Sequence, residues 1–478
     1  MARPAPILFA APHRLAFLAG SLGLATMALW WPMQLAALHF GWPKLPAGSL
    51  PAALLHAPAL LLQIYPAFIF GFLLTVFPRW MGQPDLIARQ FGPVSGGLAI
   101  GMTVSAISLW TGADTPVRIG FLICAAAWAI GLVVLGAVVR ANRRSGKPPC
   151  WHAVSALAAL TIGLGALLLV CAFLIAGDPR LLRWGNVLGL NGFILPVFLT
   201  VAHRMVPFFA GNVVKGYQNW RPDWLLAAVW ALLAARIAGE LALVPALSAL
   251  ACVGLTACSG LMVWKWWPRG PAPGLMQVLI WGFAWAPLGF ALAAMASFGL
   301  PLGLAPTHAL ALGFAASLLV AMVTRVTHGH SGRPLTMVPL AWLAFAGVQL
   351  AAAARIMSAL RAEPGWLLVI AALAFAICLL PWLIRNALIY LRPRGRLDCS
   401  DGQVLHDWCA RGLGIAWRST WEVEREVADG RLVALLEAFT APPNGIYAVF
   451  PQRKHLPLRV RLWIDFLKHT YEIGRAHV

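Results

Sequence analysis

Apolar stretches of about 20 residues recur along the chain up to roughly position 395, each long enough to cross ~30 Å of hydrocarbon as a helix. Short polar joints separate them. No period-2 alternation runs through these stretches, and an open sheet would leave backbone groups unpaired in lipid, so helices are the expected spanning form. The pattern predicts an all-α polytopic membrane protein of about 12 transmembrane helices, near 15–37, 52–77, 94–112, 117–139, 152–176, 184–206, 223–242, 245–264, 275–299, 304–324, 336–354 and 365–391. The joints hold breakers and charges, among them GWPKLPAGSLP, RANRRSGKPP and HGHSGRPL. No internal repeat is visible. The opening MARPAPILFAAPHRLAFLAG lacks a short apolar core followed by a small-residue cleavage site, so the first span is expected to act as the signal.

Past residue 396 the pattern breaks. More than half of the chain's 16 acidic residues lie beyond it, and the stretch is expected to be a short soluble α/β C-terminal fragment. It has a strand at IYAVF and then a helix with apolar residues at Leu458, Val460, Leu462, Trp463, Phe466 and Leu467.

Composition agrees with the spans. Hydrophobic residues make up 60% and charged residues 11%, with a mean hydropathy of +0.78, against roughly 25% charged residues in a soluble domain. A soluble fold of this make-up would have no surface. The net charge of +20 raises nucleic acid as a partner, but the charges fall at span ends. With the N-terminus inside, the inner joints collect Arg79, Arg89, Arg140, Arg143, Arg144, Lys147, Lys215, Arg221, Lys265, Arg269 and the run from Arg385 to Arg396. The outer joints hold only Lys44, Arg118, Arg180, Arg183, Arg355 and Arg361. That bias predicts an even span count with both termini cytoplasmic, and it accounts for the basic excess without nucleic acid. The lipid bilayer is the partner it implies. Eight scattered cysteines form no CxxC or CxxCH, which argues against a zinc ribbon, a thioredoxin site and covalent haem attachment. Of the 23 tryptophans, Trp30, Trp31, Trp42, Trp80, Trp266 and Trp267 fall at span ends as expected interfacial anchors.

Six histidines sit in or at the ends of spans: His13, His56, His203, His308, His328 and His330. A lone histidine there is more often a solvated interfacial side chain than a ligand. Grouping changes that. The topology puts His13, His203, His328 and His330 at one inner depth and His56 with His308 near the outer ends of spans 2 and 10. Imidazole ligates haem iron, copper and zinc, and bundle metal sites are built from side chains on facing helices, so two depths suit two metal centres. The one carboxylate inside a span, Glu240, lies four residues after Arg236, where a local ion pair is the plain reading. A proton-driven carrier would need a mid-membrane carboxylate or histidine relay, and the carboxylate is not supplied.

The segments HR at 13–14, GFLLTVFPRWMG from Gly71, HRMVPFFAGN from His203 and HALALGFAASLLVAMVTRVTHGHSGRPL from His308 together resemble the NnrS family. The likeness covers 10–395, and the His308 to Leu335 block is its most specific part. It implies a bacterial inner-membrane protein with haem b and copper, linked to nitric oxide metabolism and nitrosative stress, that binds nitric oxide or iron–NO species. The implied metal-holding histidines are His56, His308, His328 and His330, with His13 and His203 as further haem contacts. Arg14, Arg204, Arg325 and Arg333 are the implied partners of the haem propionates; snorkelling and topology account for these arginines equally well. One motif departs. Where family members carry a WHAHEM-like element this chain has LHAPAL, so Pro58 and Ala59 stand in place of a second histidine and a glutamate. Two other classes stay open: a b-type cytochrome exchanging electrons with quinone, and a transporter of a small solute or metal. Residues 396–471 resemble the end of the effector-binding domain of LysR-type regulators, and 472–478 (EIGRAHV) look like a translated sequencing adapter, so a chimaeric reading frame is expected.

Overall fold

In the computed structural model, residues 7–46, 48–361, 365–392, 402–416, 420–435, 462 and 466 are described. The chain divides into two compact units, Met1–Arg394 and Gly395–Val478.

The first unit is helical. Its described residues form 12 helices long and apolar enough to cross a membrane: span 1 Pro12–Phe40, span 2 Ala52–Trp80, span 3 Ala88–Thr111, span 4 Asp114–Arg144, span 5 Trp151–Ala176, span 6 Pro179–Val213, span 7 Asp223–Leu241, span 8 Pro245–Trp266, span 9 Gly274–Ser297, span 10 Ala305–His330, span 11 Pro339–Ser358 and span 12 Gly365–Leu391. The starts follow from capping chemistry. Span 6 begins five residues earlier than the hydropathy pattern predicts, because Asp178 accepts from the Arg180 amide and Pro179 fills the first turn.

Spans 2, 6 and 10 are the core. Their apolar windows are 83%, 78% and 78% buried, against 33–61% for the other nine, which wrap around them. The outer spans present Leu22, Ile100, Val133, Ile175, Leu250 and Ile377 outwards, the side expected to meet lipid. Lipid is as apolar as leucine, so close packing and polar links hold such helices together. Spans 3 and 4 touch backbone to backbone: a Cβ at Gly101 would stand 2.7 Å from the Gly120 carbonyl. Gln349 accepts from Trp285 and donates to Ser317, both at 2.6 Å, tying spans 9, 11 and 10.

The three core spans share a feature that the sequence pattern does not display. Each is interrupted by a π-helical stretch: Leu60–Ile64 in span 2, Leu188–Ile194 in span 6 and Ala309–Ala316 in span 10. The recurrence is every fourth span. Proline gives the cause in two of them, since Pro66 and Pro196 lack the amide that an α-helix would pair with Leu62 and Gly192, and their rings crowd those carbonyls. Widening by one residue relieves this: Tyr65 and Leu195 donate to the Leu60 and Leu190 carbonyls, five residues back. Nothing comparable explains the stretch in span 10.

The tryptophan expectation needs correction at two positions. Trp30 and Trp266 are 2% and 0% exposed; Trp266 instead donates to the Trp220 carbonyl at 2.9 Å. Packing claimed these rings, whereas Trp42, Trp151, Trp224 and Trp264 remain exposed.

In the second unit the described residues form two helices, Gly402–Ala410 and Thr420–Ala428, with His406 3.4 Å from Glu426. The strand expected at IYAVF lies outside the described residues, as does most of the helix after it, of which Leu462 and Phe466 are described, both exposed.

Candidate functional site

All three π-helical stretches line one cavity of about 450 Å³, within the range of ~300–1,000 Å³ usual for small-molecule and cofactor sites. It lies toward the end of the bundle where spans 2, 6 and 10 begin. Its walls are mostly apolar: Leu24 and Met27 of span 1, Leu60 and Ile64 of span 2, Leu312 of span 10, and Phe375 of span 12. Its polar lining is small and specific, with His56, His308, Asn186, Asn191, Arg236, Glu240, Arg355 and Tyr65.

Hydrogen bonding decides which histidines keep a lone pair for a ligand. His308 Nδ1 lies 2.9 Å from the Leu304 carbonyl, which can only accept, so Nδ1 holds the proton and Nε2 presents its lone pair. His56 stacks on Trp31 at 4.1 Å between ring centroids, and its buried Nδ1 has no hydrogen-bond partner. Both rings line the cavity, as the shared outer depth of His56 and His308 predicts.

The four histidines expected at the other depth do not form one cluster. His328 is committed at both nitrogens, Nδ1 to the Pro334 carbonyl at 2.9 Å and Nε2 to Arg385 at 3.0 Å. His203 is likewise committed, Nε2 to the Pro222 carbonyl at 3.2 Å and Nδ1 to His152 at 2.9 Å. His13 and His330 lie ring to ring, 4.6 Å between centroids with their planes tilted by 45°. Among the described residues no group of three or more His, Cys, Asp or Glu has the arrangement of a metal site. Of the expected ligands, His56 and His308 line this one cavity, whereas the remaining ring nitrogens of His328 and His203 face Arg385 and His152, and His13 lies beside His330.

The arginines expected near propionates lie elsewhere. Arg14 donates to the carbonyls of Ile389, Tyr390 and Arg392, closing the C-terminal end of span 12. Arg204 sits over the Trp80 ring at 4.9 Å and Arg325 over Phe209 at 3.5 Å. Arg333 follows the turn after span 10, its amide on the His328 carbonyl. None of the four lines the cavity. The arginines that do are Arg236 and Arg355, which topology and local pairing had absorbed in the sequence.

The Arg236–Glu240 ion pair is present at 2.9 Å, and the second Glu240 oxygen accepts from Asn191 at 3.2 Å. Tyr65 donates to the Ala311 carbonyl at 2.7 Å, joining spans 2 and 10 at their widened turns. Five buried polar atoms on this wall have no hydrogen-bond partner: His56 Nδ1, Asn186 Oδ1, Asn191 Oδ1, Arg236 Nη1 and Arg355 Nε. Each such atom costs about 1–3 kcal/mol when left unmatched, and the folded chain concentrates them where a ligand would match them.

This lining fits haem. Two imidazoles with available nitrogen, an apolar body and basic side chains match iron, macrocycle and propionates respectively.

The family model described as NnrS protein matches residues 7–394. Shorter likenesses are to transcriptional regulators. The HTH-type transcriptional regulator DmlR of Escherichia coli (strain K12) is 35% identical over 81 residues, 17% of this chain and 26% of the regulator. The HTH-type transcriptional regulator PtxR of Pseudomonas aeruginosa is 36% identical over 85 residues, 18% of this chain and 27% of the regulator. The HTH-type transcriptional activator AaeR of Escherichia coli (strain K12) is 33% identical over 86 residues, 18% of this chain and 28% of the activator. The chain thus spans about a quarter of the length of the curated relatives it matches.

Proposed function

Because the chain belongs to the NnrS family and spans a membrane, we propose that it is an inner-membrane haem protein of the bacterial nitric oxide response, with its haem in the cavity between spans 2 and 10. The observation that carries this is the pair His56 and His308, two expected ligands that line one cavity, His308 presenting its Nε2 lone pair and His56 a buried Nδ1 that makes no hydrogen bond. When bound, haem iron would supply the centre that takes nitric oxide, with one of the two imidazoles holding the iron and the other giving up its place.

The chain's own residues do the rest. The Leu304 carbonyl fixes the His308 tautomer, and the Trp31 ring fixes the plane of His56. Leu24, Leu60, Leu312 and Phe375 exclude water, which favours a small apolar gas over hydroxide or water at the same place. Tyr65 holds spans 2 and 10 at a set separation through Ala311. No step is assigned to copper. The distribution of basic residues supports an orientation with both termini on the cytoplasmic side. The composition break at 396 supports a reading frame joined to a piece of a regulator, and no regulatory role is drawn from it.

Absorption spectra of the purified protein test the reading. A Soret band that shifts on adding nitric oxide, lost in His56→Ala and in His308→Ala but retained in His328→Ala, is the expected result. A colourless protein without iron overturns it. A haem reduced by quinol and indifferent to nitric oxide moves the protein to the cytochrome class.

A further inference from the structure

Two of the cavity's unmatched donors belong to arginines. Arg236 is 5% exposed, its Nε is taken by Glu240 at 2.9 Å, and its Nη1 has no acceptor. Arg355, from span 11, brings an Nε without an acceptor to the cavity that His56 and His308 also line. Glu240 is the one carboxylate on this wall, and its two oxygens are held by Arg236 and Asn191. Two guanidiniums against one carboxylate leave a surplus positive charge on the wall of a mostly apolar cavity. Such a charge is costly without a counter-ion, and a planar guanidinium fork matches a carboxylate. An arginine that only snorkels would carry its polar head out to the interface rather than leave a buried Nε on a cavity wall.

The geometry assigns Arg236 Nη1 and Arg355 Nε, both on the cavity wall, as donors that seat the anionic groups of an amphiphile whose apolar body lies along Leu60, Leu312 and Phe375. The identity of that amphiphile rests on the haem reading above, since haem carries two propionate carboxylates. The seat itself does not depend on iron.

Metal-free protoporphyrin IX and its dimethyl ester separate the two. The full chain is made in cells unable to synthesise haem, placed in nanodiscs, and titrated with each porphyrin by fluorescence. The diacid is expected to bind about tenfold tighter than the ester. That gap is expected to close in Arg355→Gln and to persist in part in Arg355→Lys, which keeps the charge without the fork and serves where the glutamine variant does not fold. Diacid and ester binding alike, a gap that survives in Arg355→Gln, or no binding of either porphyrin overturns the seat. Haem titrated in parallel reports on the other reading. Haem that binds no tighter than protoporphyrin, and is indifferent to His56→Ala and His308→Ala, overturns iron ligation while leaving the seat standing.

Discussion

At the residue scale, the same two chemical groups give different returns in different places. Arg236 is buried and Glu240 partly so, and Glu240→Ala leaves the guanidinium without its partner and is expected to cost about 1–3 kcal/mol, seen as a lower melting temperature in detergent. Arg79 with Asp85 is an exposed pair at 2.8 Å on the joint after span 2. The side-chain hydrogen bond from Arg79 holds the Asp85 carboxyl below its ordinary value of 3.8. Its stabilisation is therefore present above that ordinary value and lost as pH falls through the lowered one. Asp85→Asn is expected to cost less than ~1 kcal/mol at neutral pH, and its difference from the parent in melting curves to vanish in acid. A cost that persists in acid contradicts this. Residue types alone made His56, His308 and the Arg236–Glu240 pair legible in the sequence. Arg355 was hidden because a basic residue in the last turn of a span looks like topology, and His152 because it looks like an interfacial side chain.

At the element scale, hydropathy was sufficient to find every span of the described bundle, since lipid imposes the 20-residue apolar window directly. The helix interior was not legible in that way. A π-helical turn changes the hydrogen-bond register without changing hydropathy, and its one visible sign was a proline a few residues on, at Pro66 and Pro196. The widened turns bring Leu60, Asn191 and Ala311 to the same cavity. Replacing both prolines with alanine restores an amide to each helix and favours the α register. The double variant Pro66→Ala, Pro196→Ala is expected to keep its helix content by circular dichroism while losing haem per protein. Unchanged haem content would show that the prolines do not shape the cavity. Close approach between spans 1 and 2 gives a second check: a Cβ at Gly71 would meet the Phe17 ring at 2.7 Å, so Gly71→Val is expected to destabilise by about 1–3 kcal/mol through overpacking.

At the scale of the whole molecule, three core spans spaced four apart, with nine spans around them, place the cavity at their π-helical turns. Repetition of this kind was invisible in the sequence because it resides in burial and register rather than in residue identity. Residues up to Arg394 form a unit with its own core, so a chain ending there is expected to insert, to run as a single species on gel filtration and to bind haem as the full chain does. The measurement that tests the account most directly is a cryo-EM map of the full chain purified from membranes with its pigment. Density for a haem between His56 and His308, its carboxylates toward Arg236 and Arg355, is the result this account predicts. A pigmented protein with that cavity empty and its haem against His13 and His330, or against His203, would contradict it.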